Sequence, residues 1–283
     1  MLNLNKLTLI ITGLLFFTSV SSMDWPDWRG NNRDGIWKES GIVKKFNGKT
    51  IPLKWSIPCG PGYSGPTVSG GRVYITDRPE KPAASERVLC VDAKNGNTIW
   101  TYSYACQYGN VGYPNGPRAS VVINDEKAYS LGTVGNLFCF DAKTGSVLWQ
   151  HDLNRDYQIK MTIWGIASTP LIYENRIIIQ IGGSMSASVI ALDKNSGKEI
   201  WRSMNDKISY SPPVLIQQAG KPVVVVWTAD NLNGLDPETG KVYWKIPFSV
   251  KMGMGISTPV RYGDYLFVSC FYSGSLLVKL SRQ

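Results

Sequence analysis

Histidine is nearly absent from this sequence, with His151 the single one among 283 residues. A Ser-His-Asp hydrolase or a multi-histidine metal centre would rest on that one side chain. It lies two positions beyond a tryptophan of a repeated pattern, where a solvated surface residue is expected. Charged residues are sparse, at 18%. The 30 basic side chains outnumber the 21 acidic ones, but no Lys/Arg run gathers the excess, which argues against a nucleic-acid partner and suits a soluble surface. The five cysteines are odd in number and scattered without metal-ligand spacing, which argues against a disulfide scaffold. A single bridge between Cys59 and Cys106 stays open. Cys90 and Cys139 recur at one position of a repeat and read as small buried hydrophobes.

Long apolar runs are missing beyond the first 22 residues. The stretch from Leu7 to Val20 is 14 residues, preceded by Lys6 and followed by Val20, Ser21 and Ser22 in the pattern of a cleavage site. At ~1.5 Å per residue a helix of that length spans about 21 Å, short of a ~30 Å hydrocarbon core. Residues 1–22 therefore read as a signal peptide rather than an anchor. No cysteine follows to carry a lipid, and residues 23–283 are expected to be exported without a membrane span.

What is abundant is turn chemistry and large rings: 28 glycines, 16 prolines, 10 tryptophans and 14 tyrosines. That mixture favours an all-β chain. Four segments align without gaps: VLCVDAKNGNTIW (88–100), LFCFDAKTGSVLW (137–149), VIALDKNSGKEIW (189–201) and LNGLDPETGKVYW (232–244). Each predicts a hairpin whose Asp (Asp92, Asp141, Asp193, Asp236) accepts bonds from turn amides. The Gly (Gly96, Gly145, Gly197, Gly240) takes the left-handed position. On conformational grounds alone a short polar residue should replace Gly145 more easily than a β-branched one. Four copies at one spacing mark the Asp as structural rather than as a general base.

Paired short strands precede each hairpin, and tryptophans recur at 55, 100, 149, 201 and 244. Four short strands in about 40 to 52 residues are the signature of propeller blades, with each Trp packed against the adjacent blade. The D-x-x-[TNS]-G-x-x-x-W pattern resembles the pyrroloquinoline quinone (PQQ)-like repeat of quinoprotein-type β-propellers. DWPDWRGNNRDG (24–35) resembles the N-terminal segment of secreted bacterial members. The resemblance implies an all-β propeller over 23–283, periplasmic or secreted, with four complete blades and a partial fifth. The expected shape is an open arc truncated at the C-terminus. A closed five-bladed ring, with LKWSI (53–57) pairing with 275–280, is the other arrangement. Helices have no evident place.

The same family includes PQQ-dependent dehydrogenases and non-enzymatic propellers such as that of the outer-membrane barrel assembly machine, so fold alone does not decide function. A quinone enzyme of this kind is expected to show adjacent cysteines and calcium ligands. No two cysteines here are adjacent, and no acidic residue matches a base or calcium ligand. The sequence supports no cofactor, and PQQ with calcium enters only if the chain is a fragment of an alcohol or sugar dehydrogenase. The preferred reading is a non-catalytic binding or scaffold module of the cell envelope, with a protein partner or small ligand on the loop face. That face holds two long loops, 103–117 and 150–167, rich in aromatics. Its candidate binding residues are Tyr63, Tyr113, Tyr157, Trp164 and Tyr210, with Arg118 as the cation. Arg118 breaks a register otherwise filled by Ser64, Ser168, Ser211 and Ser257, expected at the mouth of the central channel, where hydroxyls can satisfy crowded backbone groups.

Overall fold

Apolar runs of three to eight residues, interrupted by Gly, Asp and Asn, are too short for stable helices and fold back on themselves as meanders. In a computed structural model, residues 24–46, 48 and 50–280 are described, and the expected signal peptide lies outside them. The first sheet holds β1 (Thr67–Ser69), β2 (Arg72–Asp77), β3 (Ser85–Asp92) and β4 (Thr98–Ala105). The second holds β5 (Val122–Asn124), β6 (Lys127–Leu131), β7 (Asn136–Asp141) and β8 (Val147–Asp152), followed by a short helix α1 (Leu153–Tyr157). The third holds β9 (Leu171–Tyr173), β10 (Arg176–Gly183), β11 (Ala187–Asp193) and β12 (Glu199–Ser203). The fourth holds β13 (Val214–Gln218), β14 (Lys221–Trp227), β15 (Asn231–Leu235) and β16 (Val242–Pro247). The fifth holds β17 (Val260–Tyr262), β18 (Tyr265–Cys270) and β19 (Gly274–Lys279). Every sheet is an antiparallel meander in sequence order, so each is one propeller blade.

Helix α1 departs from the all-strand expectation. Asp152 caps it by accepting the Arg155 amide at 3.1 Å, and Gln158 ends it in the left-handed conformation. Among the described residues no helix is long and apolar enough to cross a membrane.

The repeated turn has the expected geometry. Gly96, Gly145, Gly197 and Gly240 all sit at φ of 72 to 75°. Each Asp accepts amides two and three residues on, such as Lys143 N and Thr144 N at 3.0 and 2.8 Å from Asp141. The Thr144 amide and hydroxyl hold the Asp141 carboxyl below its ordinary value, which suits an anchored acceptor rather than a proton-transfer base.

A second constraint at these glycines is tertiary. The tryptophan of one blade lies flat over the turn of the next. Trp100 Nε1 donates to Ala142 O at 3.0 Å, and Trp149 to Lys194 O and Trp201 to Pro237 O, both at 3.1 Å. A Cβ on Gly145 would stand 2.5 Å from the Trp100 ring, and one on Gly240 equally close to Trp201. The residue paired with each Trp is small: Cys90, Cys139, Ala191 and Gly234. Burial pushes the thiol of Cys90 up to about 11 and that of Cys139 up to about 12, leaving both as inert packing groups.

The core is accordingly divided into slabs between blades. Tyr74, Cys90 and Trp100 of the first blade pack on Ala128, Phe138 and Phe140 of the second. Tyr129, Leu137 and Cys139 pack on Ile177, Ile179 and Ile190. Ile178, Ala191 and Trp201 meet Val224, Val226 and Leu235, and Val225, Trp227 and Leu232 meet Leu266 and Val268. His151 belongs to a seam rather than to open surface. Its ring lies against Trp149, Nε2 donates to Gly197 O at 2.9 Å, and Nδ1 is 3.3 Å from Asp156. The Cys59–Cys106 bridge left open by the sequence is not formed, and all five cysteines are free.

Segment 24–35 lies across the inner strands. Trp25 exchanges both backbone bonds with Val68 of β1, and Pro26 O accepts Ile123 N of β5. Asp27 holds Arg33 by two bonds of 2.9 Å. The buried Arg33 guanidinium then donates to the carbonyls of Thr169, Pro170 and Pro213, at the entries to the third and fourth blades. Trp28 Nε1 reaches Thr258 Oγ1 of the fifth at 3.1 Å. One strap thus joins all five blades.

Among the described residues LKWSI (53–57) joins no sheet, so the ring closed by its pairing with 275–280 is not formed and the described blades make an open arc. Trp55 nevertheless plays the seam role. Its Nε1 donates to Ala93 O at 3.1 Å, and its ring covers Gly96.

The seam corrects the ranking of substitutions at Gly145. Relief of backbone strain cannot relieve the collision with Trp100, so Gly145→Asp is expected to lose the advantage over Gly145→Val that conformation alone predicts. Both should cost roughly 2 to 6 kcal/mol, combining left-handed strain with overpacking. Gly71 has a similar φ of 73° with nothing within 4 Å of its would-be Cβ. Gly71→Ala should therefore cost only about 1 kcal/mol. Chemical denaturation decides it, and equal losses at Gly71→Ala and Gly145→Ala would remove the seam from the explanation. Trp201→Ala should cost roughly 3 to 5 kcal/mol by the same measurement.

Candidate functional site

The meander puts the loops between second and third strands on the same side as the crossings between blades. Five of the six sequence candidates line up across that face. Tyr63 stacks under Arg118, with its guanidinium carbon 5.2 Å from the ring centroid. Arg118 donates to Tyr113 O at 2.6 Å, Tyr113 lies 6.3 Å from Trp164, and Trp164 lies 5.3 Å from Tyr210. Gly112 N donates to Ile163 O at 2.6 Å, which ties the two long loops together beneath the row. Tyr63 and Tyr113 are exposed, Trp164 is half-buried and Tyr210 is buried at the inner end.

Tyr157 stands apart from this row. It is buried in α1, its hydroxyl donates to Glu199 at 2.7 Å, and Arg202 covers its ring. Burial, then the Glu199 hydrogen bond and charge, hold that hydroxyl protonated by raising its pKa well above the ordinary value. Arg118 spends its donors on the fold. Besides Tyr113 it bonds the carbonyls of Gly112 and Gly116 and the Thr133 hydroxyl. Burial lowers its pKa from the usual arginine value, an effect partly offset by the adjacent tyrosines. The serines of its register behave similarly: Ser64 donates to Thr76 O, Ser211 to Ser257 O and Ser257 to Ser269 O. Ser168 Oγ is buried without a hydrogen-bond partner.

Beneath Arg118 lies a network that sequence reasoning missed. Glu86, fully buried, accepts the hydroxyls of Tyr104 and Tyr108 and the Thr133 amide at 3.1 Å. Arg78 stacks on Tyr108 at 4.4 Å. Burial first and Glu86 second raise both tyrosines well above their ordinary range and push the neighbouring Cys106 thiol up to about 12. The network is closed on itself and carries the loop above it. Nothing in the strand pattern of 85–92 distinguished Glu86 from an outward-facing residue.

Tyr210 leads into a hollow of the face, a cavity of about 750 Å³ between the third and fourth blades. Its lining includes Met161, Ile163, Met185, Lys207, Tyr210 and Met252. A second hollow of about 400 Å³, lined by Tyr108, Val111, Met161 and Ile163, shares the ridge of residues 161–163. All five methionines beyond residue 23, at 161, 185, 204, 252 and 254, fall in loop-face connections. That bias was visible in the sequence as a signal for an adaptable apolar surface. Met185 and Met252 also take left-handed backbone conformations, at φ of 55 and 57°, which turns the loops sharply at the rim.

Four four-stranded blades joined by this seam, with a three-stranded fifth packed on the last of them, define a PQQ-like β-propeller. The chain belongs to the family described as outer membrane protein assembly factor BamB, whose model matches residues 36–179 and 84–283. Among curated proteins, a quinoprotein ethanol dehydrogenase of Pseudomonas putida is 28% identical over 163 residues, 53% of this chain and 25% of the relative. The dehydrogenase subunit of a quinone-type alcohol dehydrogenase from Gluconacetobacter polyoxogenes is 26% identical over 274 residues, covering 87% and 36%. The chain thus spans about a quarter to a third of the length of these relatives. Of solved structures, BamB from Moraxella catarrhalis matches with a TM-score of 0.54 at 18% identity, over 74% of this chain and 55% of that one. Quinohemoprotein alcohol dehydrogenase from Comamonas testosteroni gives 0.62 at 17%, over 90% and 45%. At these identities the structures speak for the fold.

Three carboxylates at this end of the blades are committed to bonds within the fold. Glu86 is engaged by two tyrosines, Asp77 by Arg87 and the Gly60 amide, and Asp206 by Lys245, Asn231 and Thr228. Among the described residues no three His, Cys, Asp or Glu side chains are grouped to hold a cation.

Asp206 makes the cavity wall sensitive to acid. Burial alone would raise its pKa, but the bonds from Lys245, Asn231 and Thr228 outweigh burial and lower it. A depressed carboxyl stabilises the fold above its unfolded pKa of about 4 and loses that contribution as pH falls through the lower folded value. Asp206→Asn should therefore be less stable than the parent at pH 7, with the gap narrowing below about pH 4. Denaturation midpoints across pH 2.5 to 7 measure this, and a gap independent of pH would contradict it.

Proposed function

We propose that this protein is an exported, non-catalytic propeller that binds a protein partner through its loop face and serves as a scaffold in the cell envelope. The observation that carries the reading is the aromatic row from Tyr63 to Tyr210 opening into the methionine-lined cavity. Thioether side chains repack around varied apolar surfaces, and tyrosine and tryptophan supply rigid contact area at low entropic cost. The acidic groups closest to the row are committed to structural bonds, so the face offers recognition rather than proton transfer. Membership of a family described by an assembly factor agrees with this use, and residues 1–22, read as a signal peptide, would carry the chain to the periplasm or beyond.

A second reading is supported by the curated relatives, several of which are quinoprotein alcohol dehydrogenases. On that reading the chain is part of a PQQ-dependent alcohol or sugar dehydrogenase, whose active residues lie in further blades.

The two readings separate experimentally. The purified protein is expected to show no saturable absorbance change with PQQ and calcium and no dye-coupled alcohol or sugar oxidation. Turnover would establish the second reading. In a pull-down from the native envelope, Trp164→Ala and Tyr113→Ala should reduce capture of the specific partner roughly tenfold or more, since truncating an anchor ring costs about 2 kcal/mol or above. Unchanged capture by both variants would take the row out of the interface.

A further inference from the structure

The hollow of about 750 Å³ at the inner end of the aromatic row is walled by stretches within 160–163, 182–185, 205–210, 229–230 and 249–253. Each is a connection inside the chain, or a strand end leading into one, with described strands on both sides. Its size lies in the range of about 300 to 1,000 Å³ that encloses a small ligand or a few side chains. A short peptide segment fits such a space, whereas a whole folded surface does not.

The lining divides by chemistry. Met161, Ile163, Met185 and Met252 make one part of it apolar and adaptable. The charged part carries both signs, unequally available. Asp206 is 9% exposed at its side chain and is held by Lys245 at 2.8 Å, with Asn231 and Thr228 as further donors. Asp230 accepts the Lys207 amide at 3.0 Å. Lys160 and Lys207 belong to the same lining and are exposed, and among the described residues neither ammonium group has an ion-pair or hydrogen-bond partner. The acids are committed to the fold and the two lysines are not.

We infer, on the reading of the loop face as a protein-binding surface, that this hollow receives an acidic peptide segment of the partner, with an apolar side chain seated among the methionines and flanking carboxylates paired with Lys160 and Lys207. Each part of the lining selects one part of that ligand. A purely apolar segment gains nothing from the two ammonium groups, and a basic one meets them with like charge. A purely polar acid leaves the thioethers without contact. Exposed lysine pairs are individually weak and screened by salt. The carboxylates therefore set the preference among sequences, while the apolar anchor supplies most of the affinity.

Isothermal titration of the protein with two capped hexapeptides tests this, each with a central pair of leucines, flanked on both sides by aspartates in one and by lysines in the other. The acidic peptide should bind saturably and about tenfold or more tighter than the basic one at low salt, the two converging toward about 0.5 M salt. Lys160→Glu combined with Lys207→Glu should reverse the order, and its binding of the basic peptide shows that the double variant is folded. Met185 takes a left-handed backbone that asparagine tolerates. Met185→Asn should therefore weaken both peptides several-fold without changing their ratio. Equal affinities for the two peptides, no saturation by the acidic one up to about 1 mM, a preference that survives charge reversal, or full affinity in Met185→Asn would each overturn the inference. Failure of the peptides beside a pull-down that still depends on Trp164 and Tyr113 overturns the acidic ligand and leaves the loop-face reading standing. Peptide binding beside capture indifferent to both rings supports the hollow as the site and moves the interface off the row.

Discussion

The indole laid over a glycine turn is the contact on which the rest of this molecule depends. It requires three things at once: a left-handed turn without a Cβ, a carbonyl just past the Asp to accept the indole N–H, and a small residue opposite the tryptophan. At the three boundaries among the first four blades, the later blade supplies the turn and the earlier one the ring. A single four-stranded sheet cannot bury both of its faces, and the seam does that for every internal blade. Stability therefore resides between neighbours, as in other repeat proteins, and each boundary contains its own apolar slab.

Nearest-neighbour contacts alone would leave the blades free to splay. The strap at 24–35 restrains them from the inside, using backbone pairing on the first two blades, the Arg33 guanidinium on the next two and Trp28 on the last. Arginine suits this task because its planar head presents several donors in fixed directions, and Asp27 sets its orientation with two bonds while balancing its charge. Burial of such a pair is tolerable only because the carbonyls of Thr169, Pro170 and Pro213 take up the remaining donors.

With seams and strap holding the scaffold, the loop face can be irregular. The long crossing loops rest on the closed Glu86 network and on the donors of Arg118, so their upper surface is free to carry rings and thioethers. The methionines concentrate there and nowhere else after residue 23. A rigid base under an adaptable rim is the arrangement expected of a recognition surface.

The sequence by itself determined the blades. The Asp-to-Gly-to-Trp spacing, its four gapless copies and the burial of Cys90 and Cys139 all follow from period and turn chemistry, which are local properties. Five of the six candidate residues proved to be neighbours because loop membership alone put them on one face. What needed the tertiary structure was every contact between segments distant along the chain. Tyr157 looked like a loop aromatic until α1 turned it inward onto Glu199. His151 looked solvated until the next blade supplied the Gly197 carbonyl. Gly145 could be assigned its conformation from the turn, but the ring above it comes from Trp100, 45 residues earlier. Local patterns specify φ, strand period and facing, whereas Arg33 reaching Pro213 depends on how five blades are stacked, and only the folded arc decides that.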